Sequence, residues 1–201
     1  MSDKVTNVLI VGVGGQGVVL ASNILCAVVL RAGYDVKKSE IHGMSQRGGV
    51  VTSDVRFGPE VLSPLIAHGT ADVILAFEAA EALRFAHEVR EGGKLMSSTT
   101  TLHPPKGPTR KGQVEYPETP LEDAKSFCKG SIIPIDTDAI AKELGNMRLA
   151  NTILLGALST GLDIEESIWT ETIRKMVPPK TIDKNLAAFE RGRQVGAGAA
   201  V

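Results

Sequence analysis

Two glycine-bearing segments hold the residue types best suited to chemistry. The first is Gly12-Val13-Gly14-Gly15-Gln16-Gly17. Gly12, Gly14 and Gly17 fit Gly-x-Gly-x-x-Gly, placed after an apolar run that reads as a strand and at the start of a segment that reads as a helix. In that setting the first glycine permits a tight turn, the second close backbone approach, and the third close packing of helix on strand. The helix start then presents free N–H groups and a partial positive charge to an anion. A dinucleotide site also needs an acid about 20 residues on, at the end of the second strand, to hold the ribose. Counting from Gly17 gives Lys37 and Lys38, and Glu40 falls slightly late. The spacing weakens a nicotinamide site, although the lysines suit an NADP variant. An anion or partner-segment site and a turn kept for packing alone are the other readings.

The second segment is His42-Gly43-Met44-Ser45-Gln46-Arg47-Gly48-Gly49. It follows the second expected strand, so it emerges from the same carboxyl edge of the sheet as the glycine turn. Ligands of open α/β sheets bind at that edge, and the two loops are expected to converge there. Arg47 suits a bidentate clamp on a phosphate or carboxylate. Ser45 and Gln46 are polar positioners, and Glu40 can pair with His42 and tune its imidazole. The plainer alternative has Arg47 bridging to Glu40 or Asp54 and simply holding the loop. His68, His87 and His103 show no partner pattern and read as surface or loop residues.

Composition removes several function classes. The 201 residues carry 22 Lys plus Arg against 23 Asp plus Glu, for a net charge of −1. A protein that grips a phosphate backbone carries a basic excess or stripe, so nucleic acid is not an expected partner. The two cysteines, Cys26 and Cys128, cannot supply a four-thiolate zinc or iron–sulfur site and form no Cys-x-x-Cys pair. No metal-binding set is assigned. Cys26, in an apolar helical stretch, reads as a small buried hydrophobe. Tyr116 has no lysine four residues on. Tyr34 does (Lys38), but both lie in a segment that reads as a strand, where residues four apart stand about 13 Å apart. This argues against the proton-transfer pair of a stand-alone NAD(P)-dependent oxidoreductase. A non-catalytic nucleotide-binding module is the third class. The polar start leads directly into a strand, and no apolar run reaches the ~20 residues that span a bilayer. The expected compartment is the cytoplasm.

The elements that must position the loops follow from periodicity. Val5–Val11 is a nearly continuous apolar run, as in a parallel strand buried on both faces. Residues 16–31 read as a largely buried helix stopped by Gly33, and 34–40 as a second strand completing a βαβ unit. Alternation marks 50–57 as a strand, and 71–77 is a further buried one. A helix over 78–90 is expected to end at Gly92-Gly93, before a strand at 94–98. Prolines and glycines make 99–120 an irregular excursion. Helices at 121–128, 137–144, 151–160, 164–176 and 181–195 surround a last strand at 131–135. Asn151 is expected to cap its helix, accepting from backbone N–H groups. The reading is an α/β fold: a doubly wound, mostly parallel, Rossmann-like sheet with a helical C-terminal third. It forms a single domain over 1–195, with a flexible tail at 196–201.

Taken together, the glycine turn, Glu40-Ile41-His42-Gly43-Met44-Ser45-Gln46-Arg47-Gly48-Gly49 and Asn151-Thr152-Ile153-Leu154-Leu155-Gly156-Ala157 resemble the gamma-type subunits of 2-oxoacid:ferredoxin oxidoreductases. Pro178-Pro179-Lys180, Asn185 and Ala188-Phe189-Glu190-Arg191-Gly192 are most similar to the small (beta) subunit type of the indolepyruvate enzymes. The resemblance runs over nearly the whole chain. It implies membership of a complex that oxidatively decarboxylates a 2-oxoacid to its acyl-CoA and passes electrons to ferredoxin. It further implies that thiamine diphosphate and iron–sulfur clusters lie on a large partner subunit, with CoA as co-substrate. The residues agree: there is no Gly-Asp-Gly opening of a thiamine diphosphate motif and there are too few cysteines for a cluster. The expected chain binds no cofactor alone and has no catalytic residue of its own. The surface it is expected to offer comprises Gly12, Gly14, Gly15, Gln16, Gly17, Glu40, His42, Gly43, Ser45, Gln46, Arg47, Gly48, Gly49 and Asn151.

Overall fold

The computed structural model describes residues 4–43, 49–103 and 115–198. The first apolar run becomes β1 (Thr6–Val13). Its Val8 and Ile10 enter one hydrophobic cluster and its Leu9 and Val11 another. A strand buried on both faces demands helices on both faces, and the chain supplies them. One face is covered by α1 (Val18–Arg31), α5 (Ala150–Ser159), α6 (Glu166–Met176) and α7 (Ile182–Gly198), with Trp169 and Phe189 stacked at its centre. Two shorter helices, α2 (Ala79–Phe85) and α3 (Pro120–Ala124), lie on the other. A seventh helix, α4 (Thr137–Glu143), joins the larger cluster through Ile140 and Ala141.

The remaining strands are β2 (Asp35–His42), β3 (Val50–Gly58), β4 (Ala71–Ala76), β5 (Val89–Ser98) and β6 (Ser131–Ile135). Their order in the sheet is β2-β3-β1-β4-β5-β6. The ladders from β1 through β4 and β5 to β6 are parallel, whereas β3 runs antiparallel to both β1 and β2. Only β3 points against the others, so the sheet is doubly wound and mostly parallel.

The βαβ unit expected at the start is therefore split. β1 and β2 run the same way, but β3 is inserted between them. Other boundaries also move. The helix expected over 78–90 stops at Phe85, followed by a 3-10 turn at Ala86–Glu88, and β5 begins at Val89. Gly92 and Gly93 thus lie inside a strand, at the irregularity where the β4–β5 register jumps from Ala71 opposite Val89 to Val73 opposite Lys94, and Gly92 takes the positive φ (+69°) that this bulge requires. The helix expected over 121–128 is the single turn-and-a-half of α3. The last helix runs on to Gly198, past the expected tail boundary, because Gly196 packs on Ala157.

Helices α5 and α7 touch through their backbones. A β-carbon added at Gly156 would lie 2.1 Å from the Phe189 carbonyl oxygen, and one at Gly192 would lie 2.0 Å from that of Ile153. Only glycine permits this approach. The pairing is extended by Thr152, whose hydroxyl donates to Asn185 Oδ1 (2.7 Å), while Asn185 Nδ2 donates to the Thr181 carbonyl (2.9 Å).

Cys26 packs against the larger cluster, as expected of a small hydrophobe. Burial pushes its thiol up to about 11, against a smaller opposing pull from Lys38. Because only the thiolate is nucleophilic, iodoacetamide should label Cys26 negligibly at pH 8 and progressively faster as pH approaches about 11. Mass spectrometry of the labelled peptide checks this; rapid labelling at pH 8 contradicts it.

Candidate functional site at the carboxyl edge

The inserted strand is what brings the two glycine-bearing loops together. β3 is hydrogen-bonded to β1 on one side and β2 on the other, so Val13 lies opposite Val50 and His42 opposite Val51. Both loops therefore leave the sheet at the same level. The Gly14 N–H donates to the Gly49 carbonyl (2.9 Å), and the Gly43 N–H donates to the Val50 carbonyl (2.7 Å). A shallow depression of about 300 Å³ lies between them, lined by Val13, Gly14, Gly15, Gly17, Val18, Val19, His42 and Val51.

Within the glycine turn the residues divide into builders and presenters. Gln16 is a builder: its Oε1 accepts the Val13 N–H (2.8 Å) and its Nε2 donates to the Phe77 carbonyl (2.9 Å), tying β1 to the end of β4. Both ends of its side-chain amide are thus engaged by the backbone. Gly12 is walled in, since an added β-carbon would meet Phe77, Val18 and Gln16 at 2.8–3.0 Å. Gly17 is the N-cap of α1 with φ +88°, where a side chain would be strained. No side chain caps α1, and its first turn holds no acid. Among the described residues, no side chain therefore compensates the first-turn N–H groups and the positive end of the dipole.

Asn151 reaches this turn from α5. It is 6% exposed, and its Nδ2 would lie 3.0 Å from a β-carbon on Gly17. Its Oδ1 accepts the N–H of Thr152 (2.8 Å) inside the first helical turn. It is not the N-cap, a position held by Leu149, because a 3-10 turn at Met147–Leu149 leads directly into α5.

Glu40 and His42 are adjacent on β2, with Nε2 of His42 3.7 Å from Oε2 of Glu40. The stronger partner of Glu40 is Lys38, at 2.6 Å, and Ser22 adds a longer contact at 3.3 Å. The Lys38 ammonium holds the Glu40 carboxyl below its ordinary range, against the opposing effect of burial. Lys38, which stands where a dinucleotide site needs an acid, is thus turned inward between Glu40 and Asn23. With β3 intervening, the end of β2 is also two strand spacings, about 9.5 Å, from β1. Both facts oppose the ribose-binding geometry of a dinucleotide fold.

Met44, Ser45, Gln46, Arg47 and Gly48 lie outside the described residues. The plainer role for Arg47, bridging to Glu40 or Asp54, meets competition at both positions. Glu40 is engaged by Lys38, and Asp54 accepts the Ile66 N–H (3.1 Å), its carboxyl pushed up by burial.

Sequence reading missed a second group along the same edge. Glu78, at the end of β4, is 2% exposed. It accepts the N–H of Glu81 (2.9 Å), the N–H of Leu102 (2.9 Å) and the hydroxyl of Tyr116. One carboxylate thereby caps α2 and pins both described ends of the 99–120 excursion. The signal was an acid directly after a buried strand with a second acid three residues on, a variant of the capping box. Beside it Ser98 bonds Thr100 and Thr137 through hydroxyls, both at 2.7 Å.

Comparison with known proteins agrees with this architecture. Residues 7–195 match the family model described as pyruvate ferredoxin/flavodoxin oxidoreductase. The chain is 42% identical over 195 residues to indolepyruvate oxidoreductase subunit IorB of Thermococcus kodakarensis, covering 94% of this chain and 95% of that one. A keto/oxoacid ferredoxin oxidoreductase gamma subunit from Geobacter sulfurreducens shares the fold, with a TM-score of 0.71 at 20% identity, over 96% of this chain and 99% of that one. The fold also recurs within a longer chain, of which it covers 32% (98% of this one), with a TM-score of 0.73 at 23% identity. That chain is the 2-oxoglutarate:ferredoxin oxidoreductase from Magnetococcus marinus. A family match over nearly the full length, joined to that degree of identity, establishes that this chain belongs to the pyruvate ferredoxin/flavodoxin oxidoreductase family.

Proposed function

We propose that the chain is a non-autonomous subunit of a 2-oxoacid:ferredoxin oxidoreductase of the indolepyruvate, or arylpyruvate, type. The observation that carries this is the end-to-end identity of 42% to a relative named as an indolepyruvate oxidoreductase subunit. The thiols of this chain do not fit an iron–sulfur cluster, because Cys26 and Cys128 pack into the clusters on opposite faces of the sheet. The thiamine diphosphate and the clusters belong in this reading to a large partner subunit, which passes electrons to ferredoxin.

The contribution of this chain is the carboxyl edge. The start of α1, without a side-chain cap among the described residues, offers backbone donors to an anion, and Gly43 and Gly49, the described ends of the β2–β3 connection, adjoin the glycine turn. This surface docks on the catalytic subunit and helps enclose either the 2-oxoacid or a phosphate-bearing end of CoA. Arg47 supplies the positive charge, and Ser45 and Gln46 supply polar contacts. Gly12, Gln16 and Asn151 hold the turn in shape. Among the described residues no helix is long and apolar enough to cross a membrane.

The test is co-expression with the large subunit, followed by arylpyruvate- and CoA-dependent dye reduction. The complex should be active and the purified chain inert. Arg47→Ala should lower the activity of the complex by roughly 10-fold or more, the loss expected for one hydrogen bond to a charged group, while leaving the melting temperature of the chain unchanged. Wild-type activity in that variant removes Arg47 from the site. Decarboxylation by the chain alone, or tight binding of NADH or NADPH to it, overturns the reading.

A further inference from the structure

Two histidines without any sequence pattern meet at the amino edge of the sheet, at the opposite end of the strands from the glycine turn. His68 closes the loop that precedes β4, and His87 and Glu88 form the 3-10 turn that precedes β5. β4 and β5 are parallel neighbours with Ala71 opposite Val89, so the segments leading into them adjoin. Glu88 Oε1 lies 2.8 Å from His68 Nδ1 and 3.4 Å from His87 Nε2. Its other oxygen accepts the Gly69 N–H (2.9 Å). The two imidazole rings are 5.2 Å apart between centroids, and the three candidate donor atoms all lie within 4.8 Å of one another.

These separations bring three ligand-type atoms close enough for one ion to draw them together. A tetrahedral zinc ion bound by imidazole nitrogen and carboxylate oxygen at about 2.0–2.2 Å sets neighbouring donor atoms about 3.3–3.6 Å apart. The 3.4 Å separation from His87 lies within that range; the 2.8 Å separation from His68 is a hydrogen-bond distance that must open by about 0.5 Å, and the exposed rings must turn for all three atoms to face one ion. Two nitrogen donors select against Mg2+ and Ca2+, which take oxygen ligands. The Gly69 N–H supplies the outer contact that orients a ligating carboxylate.

We propose that His68, His87 and Glu88 form a three-ligand site for a divalent transition-metal ion with the chemistry of Zn2+. A solvent molecule completes the tetrahedron. The ion staples the loop before β4 to the turn before β5, and it serves the stability of this edge and not the surface at the carboxyl end.

The full chain, stripped with a chelator, should be titrated with Zn2+ against a chromophoric competitor. The expected result is saturable binding of one ion per chain, weakened roughly 10- to 100-fold or more by each of His68→Ala and His87→Ala and unchanged by His103→Ala. Glu88→Gln keeps an acceptor for the Gly69 N–H, so it should stay folded while losing affinity. The melting temperature should rise with Zn2+ in the parent chain and not in His68→Ala. Saturable binding that survives both histidine substitutions, or no saturable binding at all, overturns the proposal.

Discussion

Gly192→Ala should destabilise the chain by about 3 kcal/mol, although alanine is the better helix former by about 1 kcal/mol. The packing term wins because the obstacle is backbone. The new methyl would sit 2.0 Å from the Ile153 carbonyl oxygen and 2.8 Å from its carbon. Neither atom can rotate away, so α7 must lift from α5. A gap of even 0.5–1 Å forfeits a quarter to a half of each dispersion contact along the seam. Phe189, stacked on Trp169, lies on that seam and is buried. For a chain of this size the melting temperature should fall by about 6–12 °C. Gly198→Ala is the paired control, because nothing lies within 4 Å of its added carbon and only the helix propensity remains. Equal melting temperatures for the two variants would show that the α5–α7 approach is looser than described.

Glu78→Ala should cost about 2–3 kcal/mol, because it strips the acceptor from three donors at once, two of them backbone N–H groups. The loss should be uneven in space. Hydrogen exchange should accelerate at Glu81 and Leu102 and stay slow in β1. The phenol of Tyr116 gives a second readout. Burial first, and the Glu78 carboxylate after it, push its pKa above the ordinary tyrosine value. Without that carboxylate Tyr116 should ionise at lower pH, seen by ultraviolet titration against Tyr34, the other tyrosine. An unchanged Tyr116 titration would sever the link between the excursion and the end of β4.

The parts legible in the sequence are those set by local pattern. Val5–Val11 announces a strand buried on two faces, and the glycines of the first turn announce a strand-to-helix corner. The convergence of the two loops was also legible, but for an incomplete reason. It was inferred from β1 and β2 as adjacent parallel strands. They are parallel yet separated by β3, and the loops meet because β3 bridges them in register. The alternation of Val51, Ser53, Val55 and Phe57 was a hint, since a strand facing unequal surroundings alternates, but nothing local states which strands it pairs with. Gly92 and Gly93 misled because a glycine pair that can end a helix can equally form a bulge inside a strand, as it does in β5. The zinc-type cluster was invisible because His68 and Glu88 are 20 residues apart and meet only through strand adjacency.

The place of β1 in the sheet has a consequence during synthesis. Both its neighbours, β3 and β4, come later in the chain, with β3 beginning at Val50 and β4 at Ala71. A ribosome adding about 5–20 residues per second takes roughly 2–7 s to travel from Val13 to Val50. Throughout that interval the nascent chain displays a complete apolar strand with no partner for either edge, and only α1 is at hand to cover one face. The vulnerable species is therefore the growing polypeptide and not the finished protein. Slower translation over residues 14–50 should raise its demand for chaperones without altering the stability of the product.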